Sequence, residues 1–205
     1  MTRIRVNPPR APRQEPVEII EGFPRGCTGR LLLLPKDNLN TDGIYGKEYT
    51  YRENLAPPEM GRVAMLNYDP KFQEIAHEGD IIVGGRNFGS GSSREQAATA
   101  LAFRGIRMVV AASFSQTYKR NAFNNGFIVF ECPELVDDLR VQLAAPIAAG
   151  ELTIPTPTDA EVDFAAGCIR YRSRTYAFAP LGRVPQELVR AGGAEALVRA
   201  RTLGG

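Results

Sequence analysis

The chain has 205 residues, 43% of them hydrophobic, and its acidic and basic residues nearly cancel to a formal net charge of +2. That length and apolar content suit one globular domain with a sizeable core, and the near-neutral balance, with no basic block alternating with aromatics, excludes a dedicated nucleic-acid binder. No apolar run approaches the ~18 residues of a membrane helix, and the N-terminus lacks the apolar stretch of a secretory signal. Cys27, Cys132 and Cys168 lie far apart in the sequence with no C-x-x-C pair. This fits reduced thiols in a cytoplasmic protein and forbids a self-contained iron–sulfur cluster of ordinary spacing.

In chain order, residues 1–24 carry five prolines and four arginines with little periodicity. They read as an irregular basic arm, with a solvated tail the commoner outcome for a terminus, ahead of a single domain over 25–205. Arg30–Leu34 is a short apolar strand stopped by Pro35. Asp37–Gly43 is a polar turn cluster, and the loop from Ile44 to Asn54 holds Tyr45, Lys47, Tyr49, Tyr51 and Arg52. A short helix follows from Pro57 to Met65, then a turn over Asn67–Pro70 and a helical turn over Phe72–Ala76. His77 reads as a surface residue, because a lone histidine lacks partners for a metal site.

Asp80–Val83 is a strand leading into a glycine- and serine-rich turn over 84–93, and Arg94–Phe103 is a helix closed by Gly105 in the left-handed region. Ile106–Ala112 is a buried parallel strand. Ser113 or Ser115 caps a helix over Gln116–Phe123, Phe127–Phe130 is the next strand, and Pro133 opens a helix over Glu134–Leu143. Strand–helix alternation of this kind implies βαβ units with right-handed crossovers, an α/β fold. The period then switches: Leu152–Ile154, Glu161–Phe164, Cys168–Tyr171 and Arg174–Phe178 read as short strands, before helices over Pro185–Ala191 and Ala194–Ala200.

The chemistry concentrates in the turn. Strand, glycine-rich loop and helix start together point backbone N–H groups at one spot, and an anion can bind there. Arg94 adds a planar fork that matches a carboxylate or phosphate in two bonds. Ser92-Ser93-Arg94-Glu95 reads S-x-x-E, a capping box in which Ser92 caps the helix. The same hydroxyl, beside an arginine at a helix start, is also placed to act as a base or nucleophile; the two readings are compatible. His77 is the only histidine, so a Ser-His-Asp hydrolase is disfavoured. Gly91-Ser92-Ser93 lacks the lysine of a phosphate-binding P-loop, and G-x-G-x-x-G is absent in register.

The stretch 79–97, Gly-Asp-Ile-Ile-Val-Gly-Gly-Arg-Asn-Phe-Gly-Ser-Gly-Ser-Ser-Arg-Glu-Gln-Ala, closely resembles the mobile swivel domain of the aconitase superfamily. Asn40–Ile44, Ser113–Gly126, Pro180–Pro185 and Ala191–Gly193 match in the same order. In wording, the chain looks most like the homoaconitase members, with 3-isopropylmalate dehydratase a close relative. The resemblance implies a swivelling β/β/α domain with a mostly parallel sheet flanked by helices, found in many microbes as a separate small subunit. It implies half of a hydro-lyase, whose four-iron cluster belongs to a large-subunit partner and whose substrate is a hydroxy acid dehydrated and rehydrated at the neighbouring carbon.

Carried over residue by residue, the resemblance makes Ser92, as alkoxide, the base that removes a proton from carbon. Asp42 becomes a supporting active-site acid, and Ser93 and Arg94 hold the substrate. The 45–52 loop would read the substrate's variable group. There Lys47 and Arg52, beside Tyr51, favour an extra carboxylate, as in homoaconitate, over an isopropyl group. Arg120 and Asn121 match a family motif and read as structural, with the guanidinium pinning loops. A reading from another class remains: a free-standing anion- or phosphate-binding module in which Ser92 only caps.

Overall fold

The computed structural model describes residues 17–50, 52 and 55–203. The arm expected over 1–24 therefore lies outside the described residues as far as position 16, and so does Tyr51. From Val17 onward the chain is strapped to the domain. Gln186, fully buried, accepts from Ile20 N at 3.0 Å and donates to Glu18 O at 3.1 Å. Phe23 is buried edge-on against Phe164, ring centroids 5.4 Å apart.

The central strand is β1 (Gly26–Leu34), whose run of leucines is buried on both faces because the sheet is covered on both sides. Beside it lie β2 (Ile81–Gly84), β3 (Met108–Ala111) and β4 (Ile128–Glu131), all parallel; on its other edge β5 (Ile154–Asp163), β6 (Cys168–Tyr171) and β7 (Arg174–Ala177) add an antiparallel wing. The order is β4-β3-β2-β1-β5-β6-β7. The expected α/β architecture with a sheet flanked by helices is borne out.

Because β1 to β4 step across the sheet in one direction, right-handed crossovers place every connecting helix on the same face. These helices are α1 (Thr41–Ile44), α2 (Lys47–Thr50), α3 (Pro57–Val63), α4 (Phe72–Ile75), α5 (Gln96–Phe103) and α6 (Gln116–Asn124). Leu32, Leu34, Ile82 and Val109 pack there against Ala97, Leu101, Tyr118 and Phe72. Leu31, Leu33, Val83 and Phe130 point the other way, onto α7 (Pro133–Gln142) and the aromatic residues of the wing, Phe164, Tyr171 and Phe178. After α7 come α8 (Ala144–Ala148), and near the end α9 (Arg183–Ala191) and α10 (Ala194–Leu203).

Most boundaries fall where the residues placed them. Ser115 caps α6 by accepting from Tyr118 N, Gly105 follows α5 at φ +88°, and His77 is exposed. Two differ. The strands expected at 152–154 and 161–164 are one strand, β5, despite Pro155 and Pro157. The prolines are tolerated because β6 pairs only with 161–163, so their missing N–H groups leave no ladder bond unmade on that side. Helix α8 was not anticipated, since Pro146 breaks the pattern; it stands in the first turn, where a missing N–H costs nothing.

Gly89 shows why the turn after β2 is glycine-rich. Its φ is +73°, and a Cβ there would sit 2.2 Å from the Tyr118 ring. Backbone strain and overpacking add, so Gly89→Ala is expected to destabilise the fold by about 3 kcal/mol, measured by denaturant unfolding. A change below about 1 kcal/mol would mean that the loop does not pack on α6 as described.

Candidate functional site

The loops that leave the C-terminal ends of β1, β2 and β3 are laced together, at the edge where open α/β sheets bind ligands. Short parallel bridges join Asn40 to Ser90 and Phe88 to Phe114. Asn38 N donates to Arg86 O, Thr41 N to Ser90 O and Gly89 N to Leu39 O, each at 2.8 Å. Asp37 accepts from Arg140 Nη2 at 2.5 Å and from Arg86 N at 2.7 Å. These bonds make the 37–45 and 84–95 segments one surface.

Asn40 begins α1 as its cap, its side-chain oxygen accepting from Gly43 N at 2.8 Å. That turn presents Asp42 outward. Its Oδ1 accepts from Arg94 Nη1 at 2.8 Å and from Lys47 N at 2.8 Å. Arg94 Nη1 also donates to Tyr45 O at 3.2 Å. The pair therefore brings together two residues 52 positions apart in sequence, both expected at the site. Arg94 is the better enclosed, its side chain 12% exposed against 48% for Asp42. Nε and Nη2 of Arg94 have no hydrogen-bond partner among the described residues, so part of the fork is available to an anion.

Arg94, with the Lys47 amide, holds the Asp42 carboxyl below its ordinary value of 3.8. Arg140, with Arg86 N, does the same for Asp37. A carboxyl lowered in the folded state binds a proton more readily when unfolded. The stability it contributes is complete above the ordinary value and is lost as pH falls through the lowered one. Asp37→Asn is therefore expected to be less stable than the parent at neutral pH but to lose less between roughly pH 5 and pH 3, followed by circular dichroism; parallel acid curves would contradict this.

Ser92 and Ser93 are both exposed, and the capping box is not formed. Helix α5 begins at Gln96, and the residue before it, Glu95, is itself in helical conformation and makes no side-chain cap bond. A capping hydroxyl must stand next to the first helical residue, and Ser92 stands four residues away. Thr41 draws the loop aside: its buried hydroxyl donates to Ser92 O at 3.0 Å. The Ser92 hydroxyl is thus left facing outward. Ser93 Oγ accepts from the Asn121 side-chain amide at 3.2 Å.

The 45–52 loop sits beside this surface. Lys47 opens α2 with its side chain exposed, and Arg52, also exposed, lies over the Tyr49 ring at 5.1 Å. Tyr49 in turn tilts against buried Tyr45 at 6.1 Å. Arg120 is exposed and its side chain forms no hydrogen bond among the described residues. The pinning expected of it is done instead by Arg140, which holds Asp37 and Pro35 O, and by Arg86, which reaches Asp137. Thr41 and Tyr45 were not singled out; Asn40-Thr41-Asp42, a cap residue followed by a hydroxyl and an acid, was the available signal.

The site is an open surface, not an enclosed cavity. The adjoining recess, bounded by Lys36, Asn40, Asp42, Asn67 and Tyr68, is about 330 Å³. Two larger recesses, about 600 and 580 Å³, lie elsewhere, at Arg25–Thr28 and at Asp69–Lys71. Among the described residues no three His, Cys, Asp or Glu side chains converge as metal ligands. Burial raises all three thiols, Cys132 to about 11.

The chain that carries this sheet and these laced loops falls in a known family. Residues 10–135 match the aconitase C-terminal domain, and the chain belongs to that family. It is 54% identical to a homoaconitase, mitochondrial, of Eremothecium gossypii over 67% of this chain and 20% of that protein. With the homoaconitase, mitochondrial, of Mycosarcoma maydis it shares 38% identity over 90% of this chain and 29% of that protein. The chain thus spans about a fifth to a third of these relatives' length. A solved structure of a 3-isopropylmalate dehydratase from Methanocaldococcus jannaschii superposes with a TM-score of 0.72 at 29% identity, covering 87% of this chain and 96% of that one. No helix among the described residues is long and apolar enough to cross a membrane.

Proposed function

We propose that this chain is the small, substrate-covering half of a homoaconitase-like hydro-lyase, acting on a hydroxy tricarboxylic acid together with a large partner. The observation that carries the reading is the Arg94–Asp42 pair at 2.8 Å beside the outward-facing Ser92 and Ser93. Identity to homoaconitases supports the substrate class. The likeness to the solved 3-isopropylmalate dehydratase chain, 96% of which is covered, supports the small-subunit role. The openness of the site supports a partner that closes it, since a base acting on carbon needs water excluded.

In this reading Ser92 Oγ, ionised, takes the proton from the substrate carbon and returns one in the rehydration step. The free edge of the Arg94 fork holds a substrate carboxylate in two bonds, and Asp42 fixes that fork in place. Ser93 donates its hydroxyl proton to the substrate. Lys47 and Arg52 meet the distal carboxylate, the role expected also of Tyr51, which lies outside the described residues. A four-iron cluster in the partner supplies Lewis acidity toward the departing hydroxyl. The cytoplasm, expected from the free thiols, belongs to the proposal, and fractionation tests it.

The test is ultraviolet absorbance of the unsaturated product after this chain is mixed with the organism's cluster-bearing large subunit. Homoisocitrate, isocitrate and isopropylmalate are offered in parallel. Turnover of homoisocitrate is the expected result. Preference for isopropylmalate, the second reading favoured by the structural match, would keep the chemistry and reverse the role of Arg52. Silence toward all three, with phosphate bound by the isolated chain, would leave an anion-binding module. Replacing Arg52 by Leu is expected to raise the KM for homoisocitrate about tenfold, the scale of one lost charge-assisted bond, and to leave isopropylmalate unaffected; an equal change for both would remove Arg52 from specificity.

A further inference from the structure

We propose that Asn121 is a positioning residue for Ser93: its amide occupies the serine oxygen and so directs the serine proton outward, to the ligand. This rests on the reading above that Ser93 faces substrate. Asn121 belongs to α6 and is 5% exposed. Its Nδ2 lies 3.2 Å from Ser93 Oγ, across 28 residues of sequence.

The helix that carries the amide is fixed at both ends. Ser115 caps its start, and Asn125 Nδ2 donates back to Asn121 O at 2.9 Å near its end. Tyr118 and Ala122, on either side of Asn121, are buried in the core. The amide nitrogen therefore points from a rigid element at an exposed loop.

An amide NH2 group only donates. With Ser93 Oγ accepting from it, the single hydroxyl proton cannot usefully point back at Asn121 and is free for an acceptor on the open side. There the serine is exposed, and a substrate carboxylate is such an acceptor. Ser93 is thereby turned from a free rotor, able to donate or accept, into a donor. The preference matters because the proposed substrate presents only acceptor oxygens at its carboxylates. Asn121 touches no ligand and acts through Ser93.

The test is a double-mutant cycle on the reconstituted enzyme. Asn121→Asp keeps size and shape but presents an acceptor, which draws the Ser93 proton inward. It is expected to raise KM about tenfold with kcat little changed, the pattern of lost ground-state and transition-state binding alike. In a Ser93→Ala background the same substitution is expected to change KM less than twofold, because the group it acts through is gone. If Asn121→Asp raises KM equally in both backgrounds, its effect is general charge repulsion or altered packing, and the proposal fails.

A second measurement needs no turnover. In the isolated, nitrogen-15-labelled chain, Ser93→Ala is expected to move the Asn121 side-chain NH2 cross-peaks, and unchanged cross-peaks would overturn the proposal even if Asn121→Asp does not fold. A wild-type holoenzyme silent toward all substrates would bring down the functional reading, while the cross-peaks would still decide the Asn121–Ser93 bond.

Discussion

Ser92→Ala in the reconstituted enzyme is expected to lose turnover by about 10³-fold, within the range for removal of a positioned acid–base group, while the chain's stability changes by less than about 0.5 kcal/mol. The asymmetry follows from what Ser92 touches. Its side chain is exposed and caps no helix, and among the described residues the residue is held by a bond from Thr41 to its backbone oxygen, which alanine retains. Had the serine been the cap that its S-x-x-E setting suggests, the same change would cost about 1 kcal/mol of stability. Thermal unfolding and enoate absorbance on one preparation separate these cases. Full activity would remove the base assignment. A loss of stability with activity retained would restore the cap.

The second large effect is expected for Arg94→Lys, a change that keeps the charge. One guanidinium nitrogen serves Asp42 and Tyr45 O together, and the remaining edge of the plane is available to a carboxylate. An ammonium is a point donor on a flexible stem and cannot hold this geometry on both sides. We expect kcat/KM to fall about 10²-fold, at the lower end of what misplacement of a clamping group produces. Because the Asp42 side chain is about half exposed, the pair contributes little to stability, so the unfolding midpoint is expected to stay nearly constant. A parallel fall in midpoint and activity would make Arg94 a fold-holding residue only. Asp42→Asn sharpens the test: it leaves Arg94 charged but loosens its orientation, and is expected to raise KM more than it lowers kcat.

The turn over 84–94, its arginine and its serines were legible in the sequence because glycine clusters and S-x-x-E spacing carry local chemistry. Gly89 is there because no side chain fits against Tyr118, a contact the spacing does not reveal. The cap is the instructive miss. S-x-x-E describes a helix start only when nothing else competes for the segment, and Thr41, arriving from β1, competes. Arg120 failed for a related reason: a charged residue in a motif reads as a pin, yet only the packing of α6 tells which face it occupies.

By itself the sequence determined the α/β class, the parallel strands, the end of α5 at Gly105 and the position of the glycine-rich loop, and it narrowed the cap of α6 to Ser113 or Ser115. All of these rest on patterns within a few residues, where backbone preference and burial period act directly. Tertiary structure decided the rest. It joined Asp42 to Arg94 and Asn121 to Ser93, freed the Ser92 hydroxyl, and merged two short strands into β5 across its prolines. Each of these depends on which neighbour reaches a polar group first, and that competition is settled only when segments distant in sequence are brought side by side.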